Sequence, residues 1–120
     1  EETWKWIGKA DILLLLEFQF SNGIFFYAKL SDYLHANRPI FALSPKKGVV
    51  ADLLKNGGGV TAPSGDSGEI AKALDKLISL WQLKKLQIAS NSSLGEYVKP
   101  AKIIPIYEEA FKFAMVKNKK

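Results

Sequence analysis

The sequence predicts an α/β fold, in which helices cover both faces of a parallel sheet. Three short apolar segments of strand length occur along its 120 residues, and each is followed by a segment with helical periodicity. Strand–helix units in succession imply parallel strands joined by crossover helices. The chain is long enough to bury one core and too short for two domains. We therefore expect one small Rossmann-like layer.

The three predicted strands differ in how strongly the sequence marks them. The first is the run ADILLLL over residues 10–16, and the second is PIFALS over residues 39–44. Continuous apolar runs are typical of strands that are buried on both faces. The third, GGVTAP over residues 58–63, is weaker. An open edge at residues 12–16 would be unfavourable in water, so we expect a preceding segment or a second copy of the chain to cover it.

Two helices are predicted between these strands. The first spans about Ile24 to Asn37, where Leu30 and Tyr33 belong to the core row. The second is VVADLLKN over residues 49–56, and the glycine that follows it suits the end of a helix.

Two more helices are predicted after the last strand. One covers residues 69–82 with apolar residues at i, i+3, i+4 and i+7, and Asp66 and Glu69 before it have the spacing of a capping box. The other begins at about Pro105, since proline suits a first helical turn. We expect this C-terminal helix and the basic tail, residues 99–120, to pack on the same domain as residues 1–98.

The composition excludes several kinds of site. There is no cysteine, and His35 is the only histidine. Thiolate ligands, multi-histidine metal centres and histidine-based triads are therefore excluded.

The charge and hydropathy of the chain limit its partners. The net charge is +5, but Arg38 is the only arginine, and a nucleic-acid reader would show several with interleaved aromatics. The longest apolar run is far shorter than the roughly 20 residues of a membrane span. We expect no nucleic-acid partner, at most weak peripheral association with an anionic membrane, and a cytoplasmic location, free or at the cytoplasmic face of a membrane.

Ligands of open α/β sheets bind outside the carboxyl ends of the strands. Two loops of this chain belong there, EFQFSNG over residues 17–23 and SPKKG over residues 44–48. The helix after the first loop offers free N–H groups and the positive end of its dipole, which suit a phosphate. Ser21, Asn22 and Gly23 would let the backbone approach an anion, or they form only a cap and a turn.

Lys29 and Asp32 form a charged pair on that helix, outside its core row. A carboxylate such as Asp32 accepts hydrogen bonds from two vicinal hydroxyls, for example those of a ribose. The alternative is an exposed i,i+3 ion pair that contributes a few tenths of a kcal/mol, and spacing alone favours it.

The order of these segments resembles the order found in a known protein family. An apolar strand that begins Ala-Asp is followed by the helix segment KLSDYL over residues 29–34, by NRPIFALS, by a glycine-rich turn into a strand and by an Ala/Leu-rich helix. Together they resemble the carboxyl-terminal, donor-nucleotide half of GT-B glycosyltransferases of the family-4 type, over roughly residues 8–80. The resemblance implies that residues 1–98 are a partial nucleotide-sugar-binding domain, part of the C-terminal half of a GT-B fold.

The resemblance also implies which residues bind the nucleotide sugar. Asp32 corresponds to the acid that holds the ribose hydroxyls, and Lys29 lies near the donor phosphates. Asn22 and Gly23, in the first loop, would face the diphosphate or the donor sugar. Ser44 and Gly48, in the second loop, would border the nucleotide pocket. Ile24 stands where the family has the first acid of its E-x7-E pattern.

The function implied by the resemblance is transfer of a sugar from a nucleotide donor to an acceptor, with no metal or other cofactor. The helix dipole and cationic side chains would stabilise the departing diphosphate. No catalytic residue is expected within these 120 residues, and the acceptor-binding amino-terminal domain would be a partner. The isolated chain is therefore expected to be inactive, and in isolation it could form a homo-oligomer. Two alternatives are a sugar-nucleotide epimerase of GT-B architecture and a non-catalytic α/β interaction module.

Overall fold

A computed structural model describes residues 2–18, 23, 25, 27–55, 57–86 and 95–117, apart from the side chain of Tyr97. Its three strands, β1 (Leu13–Leu16), β2 (Ile40–Leu43) and β3 (Gly59–Ala62), form a parallel sheet in the order β1-β2-β3. The predicted α/β fold class is therefore confirmed, and the arrangement is Rossmann-like.

Helices flank this sheet on both sides. The helical elements of the described chain are α1 (Glu2–Lys9), α2 (Ala28–Ala36), α3 (Val49–Leu54), α4 (Ser67–Gln82), a 3-10 turn (Glu96–Val98) and α5 (Pro100–Lys117). The crossover helices α2 and α3 share one face, whose buried cluster contains Leu15, Leu30, Leu34, Ile40, Ala42, Val50 and Leu54. Helix α4 covers the other face, where the buried residues are Phe41, Ala62, Ala73 and Leu77.

Strand β1 is buried on only one face, so the prediction that both faces are buried is wrong for it. Leu13 and Leu15 are buried, whereas Leu14 is 51 % exposed and Leu16 is 63 % exposed. The cluster under α4 draws its buried residues from β2, β3 and α4. The second face of β1 consequently lacks the helical cover that a continuous apolar run predicts.

Helix α2 begins at Ala28, four residues later than predicted. Tyr27 is its N-cap and has an extended backbone, with φ −73° and ψ 137°. An extended residue cannot belong to a helix, so Tyr27 sets the boundary; its side chain packs against the buried cluster under α2 and α3. The helix ends at Asn37, which adopts the left-handed conformation and donates its backbone N–H to the carbonyl of Leu34.

The start of α4 confirms half of the predicted capping box. The Asp66 carboxylate accepts a hydrogen bond from the backbone N–H of Glu69 at 3.0 Å. The Glu69 carboxylate does not return the contact to the cap, because it accepts a hydrogen bond from Lys72 at 2.9 Å. The cap is therefore a single hydrogen bond.

Replacing Asp66 by alanine should lower the free energy of unfolding by about 1 kcal/mol, because the Glu69 N–H loses its acceptor. Urea unfolding followed by circular dichroism measures this change. Asp75→Ala is the matched control, since Asp75 is an exposed aspartate in the interior of the same helix. Equal losses in the two variants would contradict a capping role.

Helix α5 begins at Pro100, five residues earlier than predicted, and contains Pro105. Pro100 supplies the same first-turn signal that was assigned to Pro105, and the internal proline removes a single helical hydrogen bond. The sequence predicts that this helix packs on the domain. In the structure none of its side chains is buried, and the neighbouring element that it contacts most is the 3-10 turn.

Candidate functional site

The two loops that follow β1 and β2 meet at the carboxyl edge of the sheet. The backbone N–H of Gly23 donates to the carbonyl of Lys47 at 3.0 Å, and the N–H of Val49 donates to the carbonyl of Gly23 at 2.8 Å. These bonds form the bridge between Gly23 and Gly48. The structure thus brings together two residues that the sequence assigned to separate loops.

Gly48 requires glycine, whereas a side chain at Gly23 would have to displace the Glu17 carboxylate. A Cβ atom at Gly48 would lie 2.2 Å from the carbonyl oxygen of Gly23, and a Cβ atom at Gly23 would lie 2.5 Å from Oε1 of Glu17. Gly48 also has φ 140°, a conformation that residues with a side chain rarely adopt. The bridge therefore depends on close approach of the two loop backbones.

Two buried polar side chains lie at the same edge. Leu16 pairs with Leu43, so Glu17 and Ser44 follow in adjacent positions of the neighbouring strands. Glu17 is 6 % exposed and Ser44 is 1 % exposed. By the alternation of side chains along a strand, both lie on the α2 and α3 face. They form the last layer above its apolar cluster.

The two side chains carry atoms that lack partners. Glu17 Oε1 and Ser44 Oγ have no hydrogen-bond partner within the described residues. Burial raises the pKa of the Glu17 carboxyl above its usual value. Leaving such a group unsatisfied costs about 1–3 kcal/mol, so a ligand that hydrogen-bonds there would recover stability.

Sequence reasoning missed Glu17 because an acid after an apolar strand reads as the first residue of a loop. A usable signal was present in the spacing. Glu17 has the same parity as Leu13 and Leu15, which face the core, and side chains of a strand alternate with period two. Extending that alternation by one step places the carboxyl in the core layer.

Lys29 and Asp32 are exposed on the first two turns of α2, and no ion pair joins them. Three other i,i+3 pairs do form in the described chain: Asp52–Lys55, Glu69–Lys72 and Glu96–Lys99. In each of these the acid precedes the lysine, which is the orientation that the helix dipole favours. Lys29 precedes Asp32, so the ion-pair alternative is not realised and both charged groups face solvent.

The start of α2 has no side-chain cap from its N-cap residue. Tyr27 makes no side-chain hydrogen bond to cap the helix, and Lys29 is the second helical residue. Lys46 and Lys47 are exposed on the facing loop after β2; the sequence analysis did not single them out. This edge thus combines the positive end of the α2 dipole with three exposed lysines, a combination that attracts anions.

The predicted site residues fall into three groups. Gly23, Ser44 and Gly48 lie together at the carboxyl edge, and Lys29 and Asp32 lie on the adjacent helix surface. Asn22 lies outside the described residues. No metal-binding group of three or more His, Asp or Glu residues occurs within the described ranges.

A separate groove of about 310 Å³ lies on the opposite side of the molecule, between β3 and α4. Its charged residues include Lys72, which is already paired with Glu69. Neither of the buried polar atoms without partners lines it. The carboxyl edge is therefore the better candidate for a polar ligand.

The fold and this edge define an α/β protein with an anion-compatible site at the carboxyl ends of parallel strands. No protein-family model, no curated protein and no solved structure matches this chain. None of the described helices has the length and hydropathy to cross a membrane.

Proposed function

We propose that this chain binds a nucleotide sugar at the carboxyl edge of its sheet and is the donor-nucleotide part of a glycosyltransferase. The observation that carries the proposal is the start of α2, where an uncapped helix N-terminus and Lys29 lie at the carboxyl edge. A diphosphate is the group that this combination suits best, because backbone N–H groups and the helix dipole favour a compact anion.

Asp32 extends the proposed site along the helix. A rise of 1.5 Å per residue puts it about 4.5 Å beyond Lys29 along the helix axis, so a phosphate at the helix start and a diol at Asp32 belong to one ligand. The carboxylate would hold the two ribose hydroxyls, and the lysine would neutralise phosphate charge. Both groups are free of partners on their own helix, which supports this division of roles.

In the proposed reaction this chain has no catalytic residue. Its part is to bind the donor and to stabilise the negative charge of the departing diphosphate, while an amino-terminal domain binds the acceptor. We place the reaction in the cytoplasm or at the cytoplasmic face of a membrane. The isolated 120 residues should show no sugar transfer.

Titration calorimetry with nucleoside diphosphates tests the binding site. Lys29→Ala and Asp32→Asn should each weaken binding roughly 10-fold, because each removes a charge-assisted hydrogen bond. Lys76→Ala, which removes an exposed lysine from α4, should leave the affinity unchanged. Wild-type indifference to every nucleotide would contradict the proposal and favour a non-catalytic α/β interaction module.

A second titration separates the roles of the two residues. With 2′-deoxynucleoside diphosphates, Asp32→Asn should cost less than with ribonucleotides, because one of the two hydroxyls that it holds is missing. The effect of Lys29→Ala should be the same for both ligands. An Asp32→Asn effect that is equal for the two sugars would exclude contact of its carboxylate with the 2′-hydroxyl.

A further inference from the structure

Helix α5 exposes more apolar surface than a free helix in water can sustain. None of its side chains is buried, and its exposed large apolar residues are Ile104, Ile106, Tyr107, Phe111, Phe113, Met115 and Val116. Most helical stability in proteins comes from packing of apolar side chains rather than from intrinsic propensity. Another surface must therefore cover α5.

The apolar residues of α5 lie on more than one side of the helix. Ile104, Phe111 and Met115 form one row, and Phe113 lies about 200° around the helix from Phe111, near Ile106. A helix that is apolar on most sides is typically buried between surfaces, whereas a helix that lies flat on a membrane separates its polar and apolar faces. This pattern favours a protein as the occupant.

A second uncovered apolar surface lies on the sheet face that carries α4. It consists of Leu14 and Leu16 of β1 and of Leu74, Ile78 and Trp81 of α4, all of them exposed. We call it the β1–α4 face.

The strand register and one hydrogen bond place the β1 part of this face beside the α4 part. Leu14 and Leu16 pair with Phe41 and Leu43, which pack in the cluster under α4. The indole Nε1–H of Trp81 donates to the Asp11 carboxylate at 3.2 Å, just before β1. The three α4 residues have i, i+4 and i+7 spacing, which gives a stripe that can receive another helix.

The α5 of the same chain leaves from the opposite side of the sheet. Val98 packs against the buried cluster under α2 and α3, and only Lys99 separates it from the start of α5. The molecule is accordingly elongated, with extents of 61 × 32 × 27 Å. One connecting residue is too short to carry α5 around the sheet, so its own β1–α4 face is out of reach.

We propose that two copies of this chain form a homodimer by exchanging their α5 helices, each packing on the β1–α4 face of the other copy. The exchange is isologous, since the same two surfaces meet twice around a two-fold axis. The row that contains Phe111 contacts the β1–α4 face. The row that contains Phe113 contacts the other α5 across the axis.

The area that this exchange buries is sufficient for a stable dimer. The aromatic side chains of one α5, Tyr107, Phe111 and Phe113, are 62–71 % exposed, so together they would bury roughly 300–500 Å², and two arms roughly 600–1,000 Å². Their aliphatic neighbours and the receiving faces add to this, and specific interfaces bury about 1,200–2,000 Å² in total. The dimer is independent of the nucleotide site, and neither proposal rests on the other.

Size-exclusion chromatography with light scattering on the 120-residue chain measures the association. We expect twice the chain mass of 13.3 kDa. Phe111→Glu on α5 and Leu16→Glu on the receiving face should each give a monomer. Lys112→Glu, which places the same charge on the polar side of α5, should stay dimeric, and circular dichroism checks that each variant keeps its helices.

Cysteine trapping tests which surfaces meet. The chain has no cysteine, so Met115→Cys and Ile78→Cys proteins, mixed and mildly oxidised, should give a mixed disulfide dimer. Glu109→Cys, on the polar side of α5, should not cross-link to Ile78→Cys. A dimer that survives both Phe111→Glu and Leu16→Glu would overturn the proposal, as would equal cross-linking by Glu109→Cys.

A monomeric mass at every concentration would also overturn it. In that case flotation with vesicles of equimolar phosphatidylserine and phosphatidylcholine identifies a membrane as the occupant of α5. Flotation that Phe111→Glu abolishes would establish this competing outcome.

Discussion

Replacing Gly48 by alanine is expected to lower the free energy of unfolding by about 3 kcal/mol and to abolish the proposed nucleotide binding. The new Cβ atom would lie 2.2 Å from the carbonyl oxygen of Gly23, a distance that forces one of the two loops to move. Gly48 also has φ 140° and ψ −175°, a region that is essentially restricted to glycine and costs other residues about 1–3 kcal/mol. Both penalties act at the bridge between the loops.

Urea unfolding and titration calorimetry on the same protein sample measure the two effects. Gly65→Ala is the matched control, because no atom lies within 4 Å of the position that its Cβ would occupy. Its free energy of unfolding should stay within about 0.5 kcal/mol of the wild type. If Gly48→Ala instead matched the wild type in stability and binding, the close approach of the loops would not matter for either.

The fold class was predictable from the sequence because it depends on local periodicity. The strand PIFALS and the helix after Asp66 carry their signals within a few residues, and both appear in the structure. The start of α2 was not predictable in this way. It is set by Tyr27, whose backbone is extended and whose side chain packs on the buried cluster, and no local pattern encodes that contact.

The exposure of one face of β1 likewise depends on packing that no local sequence pattern encodes. Its apolar run is compatible with cover on both faces, but the position of α4 decides which strands are covered. Leu14 and Leu16 are exposed because α4 covers β2 and β3. The position of α4 depends on the whole fold and not on the sequence of β1.

The residues of the candidate site also differ in whether the local sequence could predict them. Lys29, Asp32 and the loop glycines were predicted because a helix start after a parallel strand is a general binding position, and their role in binding stays a prediction. Glu17 was missed because its burial depends on strand parity and on adjacent Ser44. The absence of an ion pair between Lys29 and Asp32 was foreseeable in principle, since the lysine precedes the acid.

Replacing Glu17 by glutamine is expected to raise the free energy of unfolding at neutral pH by about 2 kcal/mol. The wild-type carboxyl is buried with Oε1 unpartnered, and at neutral pH the folded state bears the cost of a desolvated acid. An uncharged amide of the same shape removes the part of that cost that comes from the charge. Glu109→Gln on α5, where the acid is exposed, should change the free energy of unfolding by less than about 0.5 kcal/mol.

The pH dependence of the free energy of unfolding tests the sign of the Glu17 contribution to stability. Because burial raises the pKa of Glu17 in the folded protein, the folded state binds this proton more tightly than the unfolded chain does. The free energy of unfolding therefore falls as pH rises from the ordinary value of 4.5 to the raised value, and it stays lower above that. Subtracting the Glu17→Gln curve from the wild-type curve, both from urea unfolding at a series of pH values, isolates this group.

A difference curve that is flat with pH would mean that Glu17 has a partner in solution. A nucleotide that supplies a hydrogen-bond donor to Oε1 should flatten the curve in the same way, because the bound carboxylate is no longer unsatisfied. If saturating nucleoside diphosphate stabilises the wild type but leaves the pH-dependent difference intact, the ligand does not reach Glu17. The buried Glu17 and Ser44 would then be a structural cost of the fold, and binding would rest on the surface of α2 alone.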